Sequence, residues 1–299
     1  MSRLSLKLVQ SAMPRKRIKE RIKGHEEREN DVYVSLLPKT SRITQSVVYF
    51  PDAMQDFEEF MESNEEYKLL LNYSFEKTML RLEEKFPDAN IWIIKPSKRI
   101  GKVALYKNFV EYSDEFVGRM VHNLTYNGLD HMYRLIYVYY GRSMIRLHPK
   151  SVILIGLGDG CAPLTQFLDE AQDQLSPLNF ERMYYLNGGN HENGETLYPR
   201  SCQVIGKCAT IIEKIIVYVN EYHQSNPQKL INRNYFVEFI RQVFQCYFED
   251  ILPMKDELSP LQNHLNILEF VELEVDTIQY ARQGPENRIN EYRSIYWKD

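Results

Sequence analysis

The sequence predicts an α/β fold: one domain built on a mostly parallel sheet with helices on both faces. Three observations carry this. Short apolar runs such as "NIWIIKP" and "VILIG" are hydrophobic almost throughout, as strands covered on both faces must be. Segments with helical spacing of apolar residues alternate with them. No stretch rich in Pro, Gly or Ser divides the 299 residues, which suffice to bury a sizeable core.

The elements follow in order. Residues 1 to 44 lack sustained periodicity and read as a basic tail and extended lead-in, with the domain proper at 45–299. "SVVYFP" (Ser46 to Pro51) is a strand stopped by proline. A helix starts at Ser74, a good N-cap, and stacks Phe75, Met79, Leu82 and Phe86 on one face. "NIWIIKP" (Asn90 to Pro96) is a second strand, and the polar residues 97 to 125 suit an inserted loop or lid. A helix carries Leu129, Met132, Tyr133, Ile136 and Tyr140. "VILIG" is the third strand, followed by a helix lined by Leu164, Phe167, Leu168 and Ala171. "MYYLNGG" (Met183 to Gly189) is the fourth. A helix from about Ser201 to Lys214 leads to "IIVYVN" (Ile215 to Asn220), the fifth. A long helix to about Gln245, a short strand near Tyr247 to Leu252 and a last helix near His264 complete the domain.

Composition narrows the function. Hydrophobic residues at 43% and charged residues at 26% are ordinary for a globular protein, and no apolar run approaches the roughly 18 residues of a membrane span. Four cysteines without a C-x-x-C pair argue against structural zinc and a disulfide framework, and favour a reducing compartment. Residues 1 to 24 hold eight Lys or Arg against Glu20, which leaves −11 for the rest of a chain of net charge −4. That acidic remainder argues against a nucleic-acid surface. The basic segment, with Leu4, Leu8 and Ala12 on one helical face, suits a mitochondrial transit peptide. A nuclear-import cluster and a solvated tail of a cytoplasmic protein are the rival readings. "GGNHENG" puts His191 beside Glu192 without a second ligand at helical spacing, so no metal and no cofactor is expected. Lys95, Lys98, Arg99 and Lys102 read as a solvated loop.

The turn Gly156-Leu157-Gly158-Asp159-Gly160 lies at the carboxyl end of a strand, where parallel sheets bind ligands. Three readings compete. A nucleoside loop of the methyltransferase or dinucleotide type lacks its ribose acid, since the next strand ends in Asn187. A nucleophile elbow, G-x-Nu-x-G, has Gly156 and Gly160 as flanks but Gly158 at its centre, with Asp159 displaced by one. Or the glycines serve turn geometry alone. Cys161, on the first helical turn, reads as a buried packing residue.

The chain resembles the human chromosome-two open-reading-frame-sixty-nine family, proteins assigned an α/β-hydrolase-like fold. The resemblance runs through "VVYFPDAMQDFEEFM", "LRLEEKFPDANIWIIKPS", "LIGLGDGCAPLTQFLDE" and "RMYYLNGGN", then more loosely to "IIVYVN" and "SPLQNHL" (Ser259 to Leu265). It implies serine in the elbow, where this chain has Gly158. It implies an acid after the fifth strand, where "QSNP" supplies Asn226, or after the fourth, where Asn187 stands. The histidine survives as His264. The family's glycine after "YFP", beside the oxyanion, is here Asp52, whose charge would oppose a developing oxyanion. The implied protein is a pseudo-hydrolase that binds an unidentified protein partner or small ligand, with Asp52, Gly156, Asp159, Gly160, Gly188 and Gly189 as ligand-side positions. A lone histidine is also often a hydrogen-bonded core residue. Serine-independent hydrolysis and methyl transfer at the glycine loop are the enzyme alternatives.

Overall fold

The computed structural model describes residues 14–23, 29–38, 45–52, 73–96, 98–100, 103–106, 109, 132, 152–170, 180–188, 212–220, 247–252 and 254–271. Its centre is an eight-stranded sheet: β1 (Lys16–Lys23), β2 (Glu29–Leu36), β3 (Gln45–Phe50), β4 (Ala89–Ile94), β5 (Val152–Leu157), β6 (Phe180–Leu186), β7 (Ile212–Asn220) and β8 (Tyr247–Leu252). Across the sheet the order is β1-β2-β4-β3-β5-β6-β7-β8. Only β2 runs against the others, antiparallel to β1 and β4, while every remaining pair is parallel. That order with that single reversal is the α/β-hydrolase arrangement.

The central strands earn their place by composition. β3, β4 and β5 are rich in β-branched and aromatic residues, and β4 and β5 are buried throughout. Val47, Tyr49, Ile91, Ile93, Ile153, Ile155, Tyr184 and Leu186 turn to one face. There they meet α1 (Phe75–Lys85) through Phe75, Met79 and Leu82. Ser74 caps α1 as expected, its Oγ accepting from the Lys77 amide. By strand alternation, Phe50 points to the opposite face, where its ring meets Tyr106 and Phe109 edge-on and Phe167 of α2 (Cys161–Glu170) at a tilt.

Two expectations about the chain's beginning change. The sheet starts at Lys16, ahead of residue 45, because β1 and β2 both come from the segment read as tail and lead-in. The "VILIG" strand is therefore the fifth, not the third. Lys16–Lys23 is a strand instead of one turn after another of an amphipathic helix; residues 1–13 lie outside the described residues. The cations of this segment explain why it pairs. Arg15 donates to the carbonyls of Ala89, Phe86 and Pro87 at the end of α1. Arg17 grips Glu83 of α1 with two bonds of 2.8 and 2.6 Å, and Arg21 donates to Asp31 of β2 at 2.8 Å. Lys19 lies over the Tyr33 ring. The charge that looked like a targeting or tail signature is used inside the fold.

Elsewhere, residues 98–100 and 103–105 form a small antiparallel hairpin within the stretch read as a loop. Residues 212–214 extend β7, where the sequence suggested the end of a helix. The helices expected at 129–140 and up to Gln245 fall largely outside the described residues. Among the described residues no helix is long and apolar enough to cross a membrane.

Glu83 provides a test of this packing. Burial pushes its carboxyl up, but hydrogen bonds from Arg17 and Ser35, with the charges of Arg17 and Arg15, outweigh burial and hold it below the usual carboxylate range. A carboxylate depressed on folding stabilises above its unfolded value, and the gain is lost as pH falls through the folded one. Arg17→Ala should therefore cost on the order of 1 kcal/mol near neutrality. Urea titrations of both chains should show the difference shrinking through the acid range; an unchanged difference there would place the effect elsewhere.

Candidate functional site

The carboxyl ends of β3, β5 and β6 lie side by side, because β3 pairs with β5 and β5 with β6 in parallel register. Each strand hands one residue to the same place: Asp52 follows β3 and Pro51, Gly158 follows β5, and Asn187 follows β6. His264 arrives from the other end of the chain on α3 (Pro260–Asn266).

That helix is firmly set. Ser259 and Gln262 form a reciprocal capping box, with Pro260 at the first turn. Asn263 donates to the carbonyls of Lys255, Leu258 and Ser259 and accepts from the Lys255 amide, clamping the loop before α3. Leu265, Ile267 and Leu268 sink into the core on the α1 side, and Lys85 of α1 donates to the carbonyls of Glu269 and Val271. These residues fix the direction of the His264 ring. Asn263 escaped the sequence reading, since an Asn that closes a loop carries no motif.

The ring bridges two strand ends. Its Nδ1 lies 3.0 Å from Asn187 Nδ2, and its Nε2 lies 2.7 Å from Asp52 Oδ2. A carboxylate oxygen accepts, so Nε2 carries the proton donated to Asp52, and with the Asn187 amide nitrogen turned to the ring Nδ1 accepts. Serine hydrolysis needs the opposite tautomer: Nδ1–H held by a carboxylate, and Nε2 free to take the nucleophile's proton. Asn187 is 2% exposed at a left-handed φ of 49° that asparagine tolerates, with its backbone N–H donated to the Tyr218 carbonyl. The Asp52 and His264 side chains keep 12% and 11% exposure.

Gly158 has φ +55°, as the centre of a sharp strand-to-helix turn requires. A Cβ built on it overlaps the Asp52 Oδ2 oxygen and lies 2.7 Å from its Cγ. The Asp52 carboxylate thus fills the volume that an elbow side chain would take. The other glycines pack against protein: a Cβ at Gly156 would strike the backbone of Gly160 and Cys161, one at Gly160 the Phe50 carbonyl, and one at Gly188 the Cys161 sulfur. Asp159 is partly buried within the turn. Tyr106 helps to hold Asp52 by donating its hydroxyl to the Pro51 carbonyl.

Cys161 is fully buried. Burial pushes its thiol far above the ordinary value, and its S–H is donated to the Gly156 carbonyl, so it offers no thiolate. Gly189, Asn226, His191 and Glu192 lie outside the described residues. Among the described residues no three His, Cys, Asp or Glu side chains gather as metal ligands do.

The sequence profile of the C2orf69 family matches residues 18–147. The "Mitochondrial protein C2orf69 homolog" of Danio rerio is 24% identical over 257 residues, covering 75% of this chain and 72% of its own. The "Mitochondrial protein C2orf69" of Homo sapiens is 23% identical over 242 residues, covering 61% of this chain and 62% of its own. In sequence the chain is similar to the C2orf69 family, at 23–24% identity to these relatives. Solved structures similar to it include a thermostable esterase (TM-score 0.48, 11% identity, 89% of this chain and 62% of that one). Another is poly(aspartic acid) hydrolase-1 from Sphingomonas sp. KT-1 (TM-score 0.48, 11% identity, 91% and 98%).

The overlap at Gly158 has a direct consequence. Gly158→Ser must adopt a left-handed backbone and expel Asp52 from His264, so it should cost at least about 1 kcal/mol. Thermal unfolding would show it, and a variant as stable as the parent would mean that Asp52 moves aside freely.

Proposed function

We propose that this chain is a non-catalytic member of its family: an α/β-hydrolase-like protein that acts in mitochondria by binding a protein partner or small ligand. The observation that carries it is the Asp52–His264–Asn187 arrangement over Gly158. The elbow has no side chain, its place holds a carboxylate, and the histidine carries its proton on the wrong nitrogen for acyl chemistry. No covalent acyl intermediate forms without a nucleophile at the elbow. Asn226, after β7, belongs to the same reading as a second position where an acid is replaced.

The names of the relatives from fish, human and mouse support the mitochondrial part. Lys16–Lys23 is a sheet strand, so an import signal that could be removed without cost to the fold would lie in the residues before it. Removing residues 1–13 should release a fluorescent fusion from mitochondria without unfolding the sheet. A cytosolic full-length fusion would reject the location.

A serine-reactive fluorophosphonate probe should leave the native chain unlabelled, and short-chain esters should turn over no faster than in buffer. Gly158→Ser should not gain efficient turnover, since a wrong histidine tautomer alone costs on the order of 10⁴ in kcat in serine proteases. Robust native esterase activity, abolished by His264→Ala, would make the protein a serine-independent hydrolase and overturn the reading.

A further inference from the structure

We propose that Asp52 is a built-in ligand, and that the place it fills is a binding site for a small carboxylate formed by His264 Nε2 and the open side of Gly158. The proposal rests on the non-catalytic reading above and names the ligand class that the site accepts once Asp52 is withdrawn.

Three observations meet here. The carboxylate is bound as a ligand would be, with Oδ2 accepting from the imidazole at 2.7 Å. It reaches the site on a short tether from the end of β3, and its head takes up space that no residue of the turn claims, because Gly158 has no side chain. The pair also lies at the edge of the core: its side chains keep 11% and 12% exposure, where the strand residues beneath them keep almost none. A carboxylate in the elbow's volume and against the elbow's histidine stands where the acid product of an acyl hydrolysis would rest. The chain supplies that acid from its own sequence and keeps the place occupied.

Shortening Asp52 should empty the site without dismantling its walls. His264 remains fixed by α3 and Asn187, and Gly158 leaves room for one carboxylate group. The test uses the full-length chain labelled with ¹⁵N-histidine, with the His264 signal assigned by its loss in His264→Gln. In Asp52→Ala, acetate should move the His264 Nε2 signal saturably and raise the unfolding temperature, while chloride at equal ionic strength should do neither. The native chain should show no such response. In the Asp52→Ala, Gly158→Ala double variant a methyl group occupies the same volume, and acetate affinity should fall at least about tenfold, the scale of losing one hydrogen bond to a charged group.

A folded Asp52→Ala chain that ignores acetate would overturn the proposal. So would an equal response in the native chain, or one that Gly158→Ala leaves untouched. If Asp52→Ala does not fold, Gly158→Ala in the native background decides: it must displace Asp52 and change the His264 Nε2 signal, and an unchanged signal refutes the shared volume. Esterase activity in the native chain would sink the non-catalytic reading but not the acetate result, so the two failures are separable.

Discussion

The contact on which the site depends is the close approach of the turn after β5 to the end of β3. Gly160 lies against the Phe50 carbonyl so closely that no Cβ fits between them, and Gly156 lies equally close to the backbone of Gly160 and Cys161. Backbone packed against backbone leaves little play. It fixes Asp52, two residues past Phe50, within reach of Gly158, two residues before Gly160. Gly156 and Gly160 thus pack against backbone, and among the described glycines Gly158 alone meets a side chain of the site.

Given that constraint, the chemistry follows from a few atoms. His264 has one nitrogen for each neighbour, and an amide on one side dictates what it can offer on the other. An Asp at 187 would have drawn the ring proton to Nδ1; Asn187 leaves it on Nε2, where a carboxylate is the natural partner. Asp52 supplies one. Its charge, which in the sequence appeared only as a repulsive element beside a lost oxyanion, is used as a hydrogen-bond acceptor. Positions 52, 158 and 187 thus form one self-consistent set.

Much of this was legible in the residues. Buried parallel strands announce themselves as apolar runs, so the strands at Val47, Ile91, Val152, Tyr184 and Ile215 were readable, as was the Ser74 cap. The ends of adjacent parallel strands explain why Gly158 and Asn187 lie close together, whereas His264 was grouped with them through the family resemblance alone. The first two strands were not readable. "KRIKERIK" alternates imperfectly and is dominated by cations, and its signal as a strand lies in partners far along the chain: Glu83, Tyr33 and the carbonyls ending α1. Nor could the sequence say that Asp52 and His264 touch, because their pairing spans 212 residues and depends on where two loops end.

That span also bears on how the protein comes into being. β1 and β2 are joined by five residues and can pair early, since closing a short loop costs little entropy. β3 and β5 must meet across a hundred residues, and His264 is synthesised long after both. The four residues of the site come together only when nearly the whole sheet has closed, so the site is among the last features to assemble. A ring held between two strand ends is then a fastener as well as a binding group: it latches the late C-terminal segment onto a sheet begun at the N-terminus, and it does so with groups that any partially folded chain would still be missing.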